Sequence, residues 1–258
     1  MSYRSVFRPG LFAGQTIVVT GAGSGIGRCT AHELAALGAH VVLIGRTVAK
    51  LDAVAAEIRA DGGEASHHAC DIRDEDAVKA TVAAVMAARG RIQGLVNNAG
   101  GQFPAELAGI SAKGWQAVIA NNLTGGFLMA RECYNQCMRD HGGAIVNMLA
   151  DMWNGMPGMG HSGAARAGML NFTETAAAEW APVRVNAVAP GWIASSGMDT
   201  YPDAMQPLIK SLPRHVPAQR MGTEAEVSAA IAFLLSEGAA FVSGACLRID
   251  GAAPNARR

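Results

Sequence analysis

Between Thr20 and Gly27 the chain reads TGAGSGIG, directly after the apolar run Thr16 to Thr20 and directly before an amphipathic stretch. Few folds accept that order. Glycines at Gly21, Gly23, Gly25 and Gly27 suit a turn in which the backbone itself approaches a ligand. The first free N–H groups and positive dipole end of a following helix favour an anion there. Past the turn, Ile26, Thr30, Leu34 and Leu37 step by four, four and three and stop at Gly38, the spacing of one helical stripe. A strand, a glycine turn and a helix in this order predict a βα unit whose turn takes a pyrophosphate.

The unit recurs along the chain. Strand-like runs fall at Thr16 to Thr20, His40 to Ile44, Glu64 to Cys70, Gly94 to Asn97, Ala144 to Met148, Val183 to Val188 and Cys246 to Ile249, with helical stretches between them. The runs are nearly continuously apolar and lack a polar face, as expected of parallel strands buried between two helix layers. A single α/β domain over residues 1–258 is predicted, a doubly wound parallel sheet of about seven strands with helices on both faces. A longer helix is expected from Ser111, its N-cap, to about Met138, with Trp115, Val118, Ile119, Asn122 and Phe127 near its inner face. Asn122 is the polar exception on that face.

Composition narrows the partners. Half of the 258 residues are hydrophobic and 16% are charged, against about 25% charged in an average soluble protein, which excludes intrinsic disorder. Twenty-one basic residues balance twenty-one acidic ones. Nucleic acids and anionic membranes are bound by neutralising phosphates with Lys and Arg, so neither is an expected partner. Small molecules and copies of the chain itself are. No run approaches the roughly 18 apolar residues of a membrane span, and MSYRSVFRPG lacks a signal peptide's apolar segment. The end, NARR, is not a peroxisomal address. Five cysteines without a C-x-x-C pair suit reduced thiols, and a cytoplasmic location is expected.

Further motifs follow in order: Asn97-Asn98-Ala99-Gly100, Asn122-Leu123, Pro190-Gly191 and Asp250-Gly251. With the glycine turn, this set resembles the short-chain dehydrogenase/reductase family from about Gly14 to Gly251. The resemblance implies a Rossmann-type sheet, a nicotinamide dinucleotide and often a homotetramer. It places the cofactor against Gly21, Gly23, Ser24, Gly25, Ile26, Gly27, Asp71, Ile72, Asn98, Ala99, Gly100, Arg166, Pro190, Gly191 and Ile193, with Asp71 at the adenine ring. A carboxylate at the end of the second strand would accept from a ribose 2′-OH and repel a 2′-phosphate. Gly45-Arg46 stands there instead. The planar, charged fork of Arg46 suits a phosphate, so NADP(H) is expected over NAD(H).

The chain departs from the family at the reaction centre. Of the usual Asn, Ser, Tyr and Lys, Asn122 is present, Ser162 stands for the Tyr, Arg166 for the Lys, and Leu149 or Ala150 for the Ser. A serine hydroxyl is far too weak an acid to exchange a proton with an alcohol or carbonyl. Reduction of an activated C=C bond asks less, because hydrogen-bond donors suffice to hold the charge that develops on a thioester oxygen. HSGAARAG (161–168), NAGGQF (98–103), Pro9-Gly10-Leu11 and Gly14-Gln15 resemble the peroxisomal trans-2-enoyl-CoA reductase branch, with 2,4-dienoyl-CoA reductases also similar. That branch implies reduction of the 2,3-double bond of an enoyl or dienoyl thioester, with Asn122 organising a water and Ser162 and Arg166 positioning the cofactor and polarising the carbonyl.

Asp151 and His161 are candidate proton donors, and Met148, Met152, Met156 and Met159 candidate walls of an acyl pocket. Residues 195–220, with Tyr201, Lys210, Arg214 and Arg220, occupy the family's substrate lid. No metal site is expected. Two other functions fit: a dehydrogenase of apolar, terpenoid-like alcohols or aldehydes, and a catalytically silent NADP(H)-binding protein.

Overall fold

The computed structural model describes residues 7–195 and 206–253, apart from the side chain of Leu208. Seven parallel strands form one sheet: β1 (Thr16–Thr20), β2 (His40–Gly45), β3 (Glu64–Ala69), β4 (Gly94–Asn97), β5 (Ala144–Met148), β6 (Arg184–Pro190) and β9 (Cys246–Ile249). Their order across the sheet is β3-β2-β1-β4-β5-β6-β9, and a small two-stranded pair, β7 (Ile193–Ala194) with β8 (Gly222–Thr223), lies apart. The chain winds outward from β1 in one direction and from β4 in the other. The crevice over the carboxyl ends of those two strands is where doubly wound sheets bind ligands.

Both faces of the sheet are covered. On one, Leu34 of α1 (Gly25–Ala36), Val54 of α2 (Val48–Ala60) and Ile231 of the Glu224–Leu235 helix pack with Val19, Val41 and Leu43. On the other, Val78 and Val82 of α3 (Glu75–Arg89) and Met129 pack with Val18, Val42 and Leu95. Neighbouring residues of one strand thus enter opposite cores, as the period of two requires. The two edge strands depart from the expected apolar pattern. β3 (EASHHA) is only partly buried, and β9 is likewise half-covered. An edge strand has one neighbour and thinner helix cover, so Glu64, Ser66 and His67 are tolerated there.

Buried amides tie the middle of the sheet to its helices. Asn97 and Asn147 face each other across β4 and β5. Asn97 Nδ2 donates to Asn147 Oδ1 at 2.9 Å and to Gly126 O at 2.9 Å, and Asn147 Nδ2 donates to Thr173 Oγ1 at 2.9 Å. Arg184 donates to the carbonyls of Leu234, Leu235 and Ser236, so a cation sits at the negative end of the Glu224–Leu235 helix. At the other end of that helix Thr223 and Glu226 form a capping box.

The long helix expected from Ser111 is one rod over 112–141 but not a regular one. Ser111 Oγ accepts from Gly114 N–H at 3.1 Å, as an N-cap should. The rod then runs through α-helix (Ala112–Ile119), a π turn (Ala120–Thr124), α-helix (Gly125–Cys133), a second π turn (Tyr134–Met138) and a last turn (Arg139–His141). A π turn holds an extra residue, so a strict helical period slips where it occurs. Val118 and Asn122 are buried as expected, but Trp115 is 36% exposed.

Candidate active site

One cavity of about 840 Å³ opens over the ends of β1, β2, β3, β4, β5 and β6. It is lined by Gly21, Gly23, Ser24, Gly25, Ile26, Gly27, Arg46, Asp71, Ile72, Asn98, Ala99, Gly100, Arg166, Pro190, Gly191 and Ile193. These are all the residues that the sequence assigned to a dinucleotide, brought together from five strand ends and a helix. Among the residues proposed for chemistry, Arg166 lines the cavity, while Asn122, Asp151, Ser162 and His161 do not. Of the four methionines Met148 alone does. Part of the expected lid, 196–205 with Tyr201, lies outside the described residues.

The glycine turn is built for close approach. Gly25 has φ +59°, a conformation that a side chain disfavours. A Cβ on Gly27 would lie 2.3 Å from Gly21 O, so no side chain fits there. Ser24 makes no side-chain cap to α1, which leaves first-turn N–H groups for a ligand. Thr20 is the hidden strut: its Oγ1 accepts from Asn98 N–H and Ala99 N–H, each at 3.0 Å. Asn98 Nδ2 in turn donates to Thr20 O at 2.9 Å.

Charge is distributed unevenly along the cavity. Asp71 receives Arg73 through Nε at 2.8 Å and Nη2 at 2.5 Å, and that pairing, with help from Arg46, lowers its carboxyl to about 2. Arg46 and Lys50 line the same end. At the other end Arg166 is buried, with 8% exposure. Nη1 donates to Met148 O and Nη2 to Asn122 Oδ1, both at 2.6 Å. Nε is buried without a partner, and no carboxylate pairs with the guanidinium among the described residues. Burial lowers its pKa to about 10, which leaves it charged at neutral pH.

The Asn122 side chain has no capacity left for a water. Its Nδ2 donates to Gly101 O at 2.6 Å and Val118 O at 2.9 Å, and its Oδ1 accepts from Gly101 N–H at 3.1 Å and from Arg166. Two donors and two acceptors are the whole inventory of a carboxamide. The Asn122 side chain is a clamp on Gly101 and Arg166 and is not the group that would hold a water.

Ser162 is likewise displaced from the expected role. It is fully buried, and its hydroxyl donates to Gln102 Oε1 at 2.5 Å. It therefore reaches the cavity only through Gln102, which is exposed and lines it. His161 is fully buried too. Its Nδ1 accepts from Ser162 N–H at 2.9 Å, and its ring meets Phe103 edge-on at 4.6 Å. Asp151, half-buried, sits where its backbone N–H donates to Pro190 O at 3.1 Å. Neither of the two expected acids faces the cavity. Gln102 was not singled out from the sequence, because its link to Ser162 spans 60 residues and leaves no periodic trace.

A dinucleotide fits what the cavity offers: an open helix N-terminus, a glycine-rich turn and an uncompensated buried cation. The family model described as Enoyl-(Acyl carrier protein) reductase matches residues 21–252. With the sheet order and the motif set, this shows that the chain belongs to the short-chain dehydrogenase/reductase family, and it is an oxidoreductase of that family, whose fold binds NAD(P). Among solved structures it is similar to the citronellol catabolism dehydrogenase AtuB of Pseudomonas aeruginosa PAO1, 65% identical, with 97% of this chain and 99% of that one covered and a TM-score of 0.88. A protein of Bacillus subtilis strain 168 named "Probable 2,4-dienoyl-CoA reductase [(2E)-enoyl-CoA-producing]" is 34% identical over 92% of this chain and 95% of its own. A structure described as "a putative NAD(P) dependent gluconate 5-dehydrogenase from Beutenbergia cavernae", with NADP bound at low occupancy, is 32% identical with a TM-score of 0.89, and the match covers 96% of this chain and 100% of that one. No helix among the described residues is long and apolar enough to cross a membrane.

Proposed function

We propose that the chain is a cytoplasmic, NADPH-dependent reductase of the 2,3-double bond of enoyl or dienoyl thioesters, CoA-linked. The observation that carries this reading is the reacting end of the cavity. Gln102, Asn121, Leu149, Ala150 and Arg166 line it, and none of them is a side-chain acid or base for proton exchange at neutral pH. The resemblance to dienoyl-CoA reductases supports it.

Gly21 to Gly27 and Asn98 would hold the dinucleotide, Arg46 its 2′-phosphate and Arg166 its nicotinamide end. When bound, the cofactor supplies a hydride to the substrate β carbon. The C=C pair then moves toward the carbonyl, and a pair moves onto the thioester oxygen. Neutral donors and the Arg166 charge stabilise that enolate without giving up a proton. The carbonyl re-forms as the α carbon takes a proton from water. The acyl group thus gains a hydride and a proton at the expense of NADPH, which is oxidised to NADP⁺.

A second reading is the oxidation or reduction of apolar, terpenoid-like alcohols and aldehydes, favoured by the 65% identity to a citronellol catabolism dehydrogenase. NADPH consumption over enoyl-CoAs, dienoyl-CoAs, citronellal and other apolar aldehydes, with product mass measured, separates the two. Enoyl thioesters should turn over far faster than any aldehyde. Robust alcohol or aldehyde turnover with none on enoyl thioesters would overturn the first reading.

A further inference from the structure

We propose that Gln102 is the residue that meets the substrate's carbonyl oxygen, donating from its amide Nε2, and that Ser162 is its positioning residue. The proposal rests on the enoyl reading for the nature of that oxygen. Gln102 Oε1 is occupied by the Ser162 hydroxyl at 2.5 Å. Both N–H groups of Nε2 are free of partners among the described residues, and the side chain lines the cavity. With its oxygen anchored on a buried hydroxyl, the amide is fixed in orientation and turns its two N–H donors away from Ser162.

Three anchors hold the loop that carries it. Gly101 is bonded through both its N–H and its C=O to Asn122. Phe103 packs edge-on to the buried His161, one residue before Ser162. Ala105 N–H donates to Gly158 O at 2.8 Å. The donor is therefore aimed before a substrate arrives, the condition under which a hydrogen bond favours a developing oxyanion over a neutral carbonyl. An amide N–H has no titration near neutrality, so it can stabilise the enolate oxygen but cannot protonate it. The α carbon takes its proton from water, as above. In place of the family's single tyrosine the chain has two residues, a buried hydroxyl and an exposed amide.

The test combines kinetics with a readout independent of turnover. Gln102→Glu keeps the shape and an acceptor for Ser162 but removes the donor. It should lower kcat on trans-2-hexenoyl-CoA about 10–1,000-fold with little change in KM or NADPH affinity. Ser162→Ala should lower kcat less, and Gln102→Ala/Ser162→Ala should be no worse than Gln102→Ala, since Ser162 acts through Gln102. Hexanoyl-CoA labelled with ¹³C at the carbonyl should show a lowered C=O stretch on the unmutated protein, which returns toward its solution value in Gln102→Glu and partly so in Ser162→Ala.

A wild-type kcat in Gln102→Glu, multiplicative losses in the double variant, or a carbonyl band indifferent to Gln102 would each overturn the proposal. If the unmutated protein leaves enoyl thioesters untouched but reduces an aldehyde, the enoyl reading falls by itself. The same variants and a ¹³C-labelled aldehyde then decide Gln102: slowing with a shifted band supports it, and neither overturns it.

Discussion

Gly100→Ala should disable the site from outside the reacting residues. A Cβ at Gly100 would stand 2.6 Å from both Arg166 Nη2 and Asn122 Oδ1, whereas ordinary contact begins at about 3.5 Å. Each atom would have to withdraw by about 0.9 Å. Neither can retreat freely, because Arg166 Nη1 is bound to Met148 O and Asn122 Nδ2 to Gly101 O and Val118 O. One hydrogen bond to a buried charge is lost, worth about 1.5–3 kcal/mol. For a chain of this size that lowers the melting temperature by about 3–12 °C. NADPH affinity should weaken about tenfold for each 1.4 kcal/mol passed on to the cofactor. Calorimetry and fluorescence titration measure the two effects, with Gly109→Ala, where a Cβ meets nothing within 4 Å, as the neutral control. In Gly100→Ala/Arg166→Met the cost of the alanine should shrink, because only the contact with Asn122 Oδ1 then remains. A Gly100→Ala protein that melts within about 1 °C of the original and binds NADPH equally well would refute the geometry.

Three further outcomes are expected. Arg46→Ala should weaken NADPH by about 1–3 kcal/mol and leave NADH nearly unchanged, and equal affinities for the two cofactors in the unmutated protein would contradict the phosphate role. Glu226, held down to about 2 chiefly by Arg220, favours the folded state above its ordinary range near 4.5, and that contribution is lost as pH falls toward 2. Glu226→Gln should therefore flatten the decline of melting temperature between pH 5 and 2, and an identical slope in both proteins would rule this out. Light scattering at micromolar concentration should report a homotetramer, and a monomeric mass would refute it.

The glycine turn and the strands were readable because their signals are local. Gly21 to Gly27 lie within one turn, and each strand is a contiguous run. What lay beyond the sequence was relational. Nothing in EASHHA says that β3 ends at an edge, since edge position depends on the order of the other strands. Asn122 could be placed on a buried face, but not credited with its four bonds, because three go to Gly101 and Arg166, which are distant in the chain. Ser162 was found by its place in a motif and assigned to the substrate. The structure puts Gln102 between them, a surface residue with no periodicity to mark it. The π turns hid because a helical pattern read from sequence assumes one period throughout.

The π turn at Ala120–Thr124 has a consequence for insertions and deletions. A turn with one surplus residue is what remains when an α-helix gains a residue without being rebuilt. Deleting one residue within 120–124 would let the rod relax to an unbroken α-helix, with a better hydrogen-bond ladder. The flanking helices would keep their relative phase, because the surplus residue is absorbed within the turn, and the displaced residues would be those of the turn itself. Asn122, in the middle of that turn, would lose the placement from which it bonds Gly101 and Arg166 together. Such a deletant would hold a more regular helix over an emptied site, and the route back to function would be to restore a residue rather than to exchange one.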